Sequence, residues 1–490
     1  MPSISRCLRL LAACIAATTL GCGDVSVLSA GSESSSTGST GGGAGGTTGG
    51  GDGGSSWTTS STSGDGGGGG SGGSSVCPGG AWSKRFGGAE DQRMEALAVD
   101  SHCNLYVAAT STGPLDLGNG PLQGKLYAGT VLAKLGPDGQ AIWSRWMESS
   151  NLPLGIAALA IDPEDNLVFA GVFSGTFDFG SGPVQAGDKG SAYVAKIGPH
   201  GGLLWERHFE ATLGLNMNGT TVAAREDGGV VLTVAYDGTA DFGDGPKASL
   251  GEDIAVIALG VAGQTLWVRR FGGPGNTLDQ VTSLALGPNG EIAIAGDYEG
   301  QLDLGTGPLP FAFSGGFVGL LDPDGQAIFA RAMPEAACDF NECSIQVAFN
   351  TAGAPVVVGE KHFDPMNPDP AEGLFMEVLG TTGAIVESHD LGGRRVRQIA
   401  AGQAGRIGLA GEIEGAAAAA VDPDGTKAWS EGKLAMESLG DYDAGGRAIA
   451  VDPGGGWVVA GAFRGTVDFG EGAMVSAGKR DLFLARVPGP

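Results

Sequence analysis

The sequence predicts an all-β fold, a seven-bladed β-propeller of four-stranded blades, and three observations predict it. Trp82, Trp143, Trp205, Trp267 and Phe329 follow one another at spacings of 61, 62, 62 and 62 residues, a period filled with strand-like segments. Alanine stands at one position in seven units, as Ala98, Ala160, Ala223, Ala285, Ala348, Ala400 and Ala450. Eleven residues after each alanine a second strand ends, at Ala109, Gly171, Val234, Gly296, Gly359, Gly411 and Gly461, so the hairpin between the two strands keeps one length.

Each element of the unit has its own signal. The first hairpin turns through Asp162-Pro163-Glu164-Asp165-Asn166, Gly287-Pro288-Asn289-Gly290 or Asp452-Pro453-Gly454-Gly455, which carry the residues tight turns require. A loop of the form Asp-Phe-Gly-x-Gly-Pro follows, then a third strand such as Val131–Leu135 or Ala192–Ile197, then a turn such as Gly136-Pro137-Asp138-Gly139. The next aromatic opens the outer strand, where it would fill the gap between blades, while the crowded axis leaves the inner strand room for alanine. Trp82–Phe86 reads as a fourth strand with no blade before it, and Leu482–Val487 as a third strand with none behind it. Pairing of the two closes the ring and removes its exposed sheet edges.

The units resemble the repeats of bacterial lipoproteins with SBBP-type β-propellers. The resemblance rests on Trp82 to Gly88, Ala98 to Asp100, Asn104 to Ala109, Ala133 to Gly139 and Asp178 to Gly180, and it covers the chain from about Trp82 onward. Units five and six depart from the pattern, lacking the Asp-Phe-Gly word and the leading Trp that would mark their blade boundaries. The resemblance implies an extracytoplasmic propeller, a family for which function is mostly unassigned.

Three segments follow from composition. Arg6 and Arg9 precede the apolar run Leu10–Leu20, about half the length that crosses a bilayer, so residues 1–21 read as a signal peptide of lipoprotein type. Thr19-Leu20-Gly21-Cys22 resembles a lipobox, with Cys22 the lipid attachment site; Leu11-Ala12-Ala13-Cys14 also fits, but leaves only a four-residue apolar region after Arg9. Residues 22–76 are almost wholly Gly, Ser and Thr and form a disordered tether, its ends on the order of 40 Å apart. Residues 77–490 form the propeller. The expected location is the bacterial cell envelope, at the outer membrane or cell surface, with the lipid anchor making the membrane contact.

Four cysteines remain after Cys22, an even number suited to disulfides in an oxidising compartment. Cys77 is within reach of the Cys103 turn, and Cys338 and Cys343 share one loop. The histidines are scattered without ligand spacing, so no metal site is expected. Asp116, Asp178, Asp241, Asp303 and Asp468 recur once per blade and read as caps of tight turns; a Ca²⁺ site is the alternative. No cofactor is expected: Val421–Trp429 has the spacing of a quinoprotein repeat, but a Pro-Asp-Gly turn before an outer-strand Trp accounts for it.

Function is less legible. With 54 acidic against 28 basic residues and a net charge of −26, nucleic acid is excluded as a partner. No nucleophile elbow, P-loop, zincin or sialidase box occurs. The leading expectation is a monomeric binding or scaffold module for an unknown protein or polysaccharide, more a binder than an enzyme. The alternative is a carbohydrate- or polymer-active enzyme of glycosidase or lyase type with acids gathered at the channel mouth. Only 18 residues separate Gly411 from Trp429, against 33 or 34 in the first four units, so unit six has lost its loop between second and third strands and should leave a notch in one rim. Beside it lie Arg394, Arg395 and Arg397, a candidate docking point for an acidic polymer, with Asp441 and Asp443 as possible neutralising neighbours.

Overall fold

The computed structural model describes residues 77, 80–124, 128–150, 155–275, 277–334, 336, 338–339, 342–361, 373–435 and 444–487. Seven antiparallel sheets carry the seven blades. Their inner strands are Gln92–Val99, Gly155–Ile161, Gly214–Ala224, Gln280–Leu286, Ile345–Phe349, Arg395–Ala401 and Gly445–Val451, for blades 1 to 7. Blade 7 closes the ring as expected, with Trp82–Phe86 paired antiparallel to Asp481–Val487, Trp82 opposite Arg486 and Phe86 opposite Leu482.

Seven buried clusters lie one at each interface between neighbouring blades, so the core is a ring of interfaces rather than a single mass. The fixed alanine belongs to this packing. Ala160 shares a cluster with Val222 of the next blade, Ala285 with Val347, Ala348 with Ile399, Ala400 with Ile449 and Ala450 with Leu97. Near the axis each of these five interfaces therefore matches one small side chain with one branched aliphatic. A larger residue at the alanine would overpack it, at a cost of about 1–3 kcal/mol.

At the periphery the tryptophan does more than fill a gap. Trp82 Nε1 donates to Pro137 O (2.9 Å), Trp143 Nε1 to Pro199 O (3.4 Å) and Trp205 Nε1 to Val261 O (2.8 Å), each in the third turn of the following blade. That turn needs glycine for two reasons at Gly263: its φ is +79°, and a Cβ there would lie 2.9 Å from the Trp205 ring. Blade 5 carries Glu387 at the aromatic position, opposite Val378, which is why its boundary is hidden in the sequence.

Two of the repeated words meet in a buried ion pair. Asp100 and Lys134 lie 3.0 Å apart, Asp162 and Lys196 2.6 Å, and Asp452 and Arg486 2.7 Å, in blades 1, 2 and 7. Burial pushes the Asp162 carboxyl up, but the Lys196 ammonium and Asn166 outweigh it and hold the group below the usual carboxylate range. In blades 3 to 6 both partners are replaced together, by Arg225 and Ala258, Gly287 and Leu320, Asn350 and Val378, and Gly402 and Ala420. The joint replacement is what buried charge demands, since one member left alone would cost about 3–5 kcal/mol.

Candidate functional site at the channel mouth

Antiparallel order puts the inter-blade segments and the loops between second and third strands on one face, where every inner strand begins. The short turns between first and second strands lie on the other. The inner strands do not run straight. In blades 1, 2, 4, 6 and 7 the register slips by one residue, at Glu95, Ala157, Thr282, Arg397 and Arg447. A bulge of this kind releases one residue from the ladder and re-aims its side chain. All five line one central cavity of about 680 Å³.

The cavity wall is electrically uneven. Blades 6, 7 and 1 supply four guanidinium groups, Arg395, Arg397, Arg447 and Arg93; the lining carboxylates are Glu95 and Glu360. Glu95 lies 3.5 Å from Arg93 Nε and 3.9 Å from Arg447 Nη2, and accepts from Thr110 Oγ1 at 2.9 Å. Burial pushes the Glu360 carboxyl up, against the opposing pull of Ser344, Arg397 and Arg395, and it accepts from Val396 N at 3.2 Å. Blades 3 and 4 supply neutral groups instead. Thr220 Oγ1 donates to Asn216 O (3.2 Å), Thr282 Oγ1 to Ile345 O (3.1 Å), and Gln280 Nε2 to both carboxylate oxygens of Asp297 (3.1 and 3.0 Å). Deeper down, the lining ends at aliphatic residues one position before the fixed alanine, among them Leu97, Leu159, Leu284 and Ile399.

Of the three arginines singled out by sequence, Arg395 and Arg397 thus line the channel. Arg394 is on the rim, its side chain 61% exposed and 3.9 Å from Glu412. The loop lost from blade 6 is replaced by a two-residue turn at Glu414 and Gly415, with φ of +50° and +82°. The space beside blade 6's outer strand is not left as a notch. The hairpin Thr466–Asp468 and Met474–Val475 of blade 7 pairs onto it, Lys433 opposite Asp468. Asp441 and Asp443 lie outside the described residues. Arg93, Glu95, Glu360 and Arg447 were not singled out by sequence. A signal was present for three of the bulge positions with charge: Glu95, Arg397 and Arg447 each stand three residues before a fixed alanine.

The other candidates resolve differently. Asp116 Oδ1 accepts from Gly118 N (2.7 Å) and Gly120 N (3.0 Å); Asp178, Asp241 and Asp303 repeat this pair, and Asp468 accepts from Gly470 N, so these carboxylates cap turns. Asp100, His102 and Asp165 come together between the turns of blades 1 and 2. Asp100, however, already accepts from His102 N, Asn104 N and the Asn104 amide and pairs with Lys134. Cys77 and Cys103 form a disulfide with Cα atoms 5.7 Å apart, on the face opposite the mouth. Cys338 and Cys343 stand opposite each other in a two-residue ladder, with side chains outside the described set, as is Cys22. Among the described residues no helix is long and apolar enough to cross a membrane.

No protein-family model matches the chain, and no curated protein matches it significantly. Solved structures do. The Dos1 propeller is 10% identical over 84% of this chain and 96% of that one, with a TM-score of 0.44. The polysaccharide lyase Uly1 is 11% identical over 81% and 90%, with a TM-score of 0.44. A catalytically inactive virginiamycin B lyase from Staphylococcus aureus, solved with quinupristin, is 10% identical over 82% and 99%, with a TM-score of 0.43. Identities this low concern the propeller architecture alone.

Proposed function

We propose that this protein is an exported, lipid-anchored propeller that binds an anionic ligand at its channel mouth. One observation carries the reading: in a chain of net charge −26, four guanidinium groups against two carboxylates gather around one cavity. Guanidinium groups recognise carboxylate and phosphate in a fixed fork, and inside a cavity the contact is less screened than on the surface. The Cys77–Cys103 disulfide fits an oxidising compartment and fastens residue 77 to the far face, leaving the mouth clear of the chain's point of entry.

The test is a screen of anionic glycans and polymers at low and moderate salt, using the parent, Arg395→Ala/Arg397→Ala and the rim control Arg394→Ala. Binding by the parent and the control but not by the double variant is expected; binding that survives the double change overturns the site. The anchor is tested separately, by Cys22→Ser, which should move the protein out of the membrane fraction. Unchanged retention would remove the lipid from the proposal.

Glu360 favours a second reading, that of a glycan-cleaving enzyme. A buried carboxyl with raised pKa beside a ligand cavity is suited to proton donation. Release of new chain ends by the parent, and not by Glu360→Gln, would establish it.

A further inference from the structure

We infer that the cavity receives the terminus of a hydroxyl-rich anionic chain, such as the end of an acidic oligosaccharide, rather than an internal stretch of polymer. The inference rests on the anion-binding reading above and adds the ligand's class and direction of entry. Two features of the cavity carry it.

The first is its floor. Lining residues run from Arg93 and Arg395 near the start of the inner strands to the level of Leu97, Leu159 and Ile399, and none of the residues after the fixed alanines takes part. At that level a branched aliphatic residue comes from every blade, seven in all with Val222, Leu284, Val347 and Ile449, each in register with the second strand of its blade. Desolvating a charged or hydroxylated chain through such a ring is costly. A ligand that enters from the mouth therefore stops there. The volume of about 680 Å³ falls within the range of small-molecule sites, about 300–1,000 Å³, which suits one or two sugar residues and not a bundle of polymer.

The second is the pairing of unlike walls. Blades 6, 7 and 1 offer guanidinium donors, which take a carboxylate or phosphate. Across the cavity, the Thr220 and Thr282 hydroxyls spend their protons on Asn216 O and Ile345 O. What each hydroxyl keeps for a ligand is its lone pairs, so this wall accepts hydrogen bonds. A ligand matched to both walls carries an anion on one side and O–H donors on the other. A bare dicarboxylate satisfies only the first wall, and a neutral sugar only the second.

Calorimetric titration with galacturonate trimer and with polygalacturonate of two defined lengths tests this, using the full-length protein and Thr220→Val/Thr282→Val, an isosteric change, with folding checked by thermal melting. The expected result is one protein bound per chain whatever its length, with about a tenfold loss of affinity in the threonine variant. Glutarate should be bound weakly and equally by both proteins. Stoichiometry that rises with chain length, while binding still depends on Arg397, overturns the terminus and leaves the anion site standing. Trimer binding indifferent to the threonine pair overturns the accepting wall. No binding of either uronate overturns the inference, and whether the anion-binding reading falls with it is then read from the wider glycan screen.

Discussion

The junction of blades 7 and 1 and the junction of blades 3 and 4 are built on one plan and differ at one buried position, where one has a neutral amide and the other a carboxyl. At both, the third strand carries a buried aspartate paired with an outer-strand arginine: Asp481, the first residue of its strand, with Arg85, and Asp253, inside the longer strand Pro246–Leu259, with Arg270, whose Nε lies 2.6 Å away. At both, the residue six before the fixed alanine is buried and donates its backbone N–H to the residue preceding that aspartate, Gln92 to Arg480 O (3.1 Å) and Asp279 to Glu252 O (3.0 Å). Gln92 is a neutral amide. Asp279 is a carboxyl with 0% exposure, and burial, with Asp253 nearby, pushes its pKa up to about 7. One buried oxygen of each aspartate, Asp481 Oδ1 and Asp253 Oδ1, lacks a hydrogen-bond partner. A protonated Asp279 offers an O–H where Gln92 offers an amide N–H. The same backbone arrangement therefore carries a neutral amide at one junction and a carboxyl with raised pKa at the other.

Breaking one junction outright has the largest expected effect. Truncation after Ala477 removes Arg480, Asp481 and the strand paired with Trp82–Phe86, so calorimetry should show loss of the cooperative transition. A truncated chain melting like the parent would show that closure contributes nothing.

Next is the titration of Asp279. Its folded pKa is raised, so the stability it contributes is present below about pH 4 and is lost as pH rises towards about 7, beyond which the loss levels off. About three units correspond to roughly 4 kcal/mol. Asp279→Gln imports the Gln92 arrangement. Urea denaturation at pH 8 should find it more stable than the parent by an amount of that order, with the difference vanishing near pH 4. A parent whose stability is flat over this range would refute the comparison. The reciprocal change, Gln92→Glu, should carry the pH dependence to the other junction at a cost of about 2 kcal/mol above neutrality; an unchanged profile would show that the two sites are not equivalent.

The smallest effect is expected from Glu252→Gln. Glu252 accepts from Asn216 Nδ2 at 2.8 Å, and the charge that acts on Asp279 is Asp253. Stability should move by about 1 kcal/mol or less, with the midpoint of the pH profile in place. A downward shift of that midpoint by a unit would make Glu252 a partner in the titration.

The site was less legible than the fold for an identifiable reason. Arg395 and Arg397 stood out because they cluster along the chain, yet Arg394, their neighbour in sequence, precedes the strand Arg395–Ala401 and lies exposed at the rim. Glu95, Arg447 and Arg93 come from other blades and have no signal in local composition. The notch expected beside blade 6 followed correctly from the missing loop, but a hairpin of blade 7, distant in sequence, occupies the adjoining edge.

By itself the sequence determined the number of blades, the four strands in each, the small residue at the axis, the aromatic at the periphery and the closure by the two end strands. These repeat, and each answers a requirement local to one blade and its neighbour. The joint presence or absence of Asp100-like acids and Lys134-like cations was also written in the chain, although its reason needed the 3.0 Å contact to be seen. Only the tertiary structure decided which charges converge. The β-bulges that turn Glu95, Arg397 and Arg447 into one cavity depend on register with a second strand, and the pKa of Asp279 depends on an aspartate of the preceding blade that burial brings close. Both are set by distance through space and by exclusion of water, which a one-dimensional order of residues does not contain.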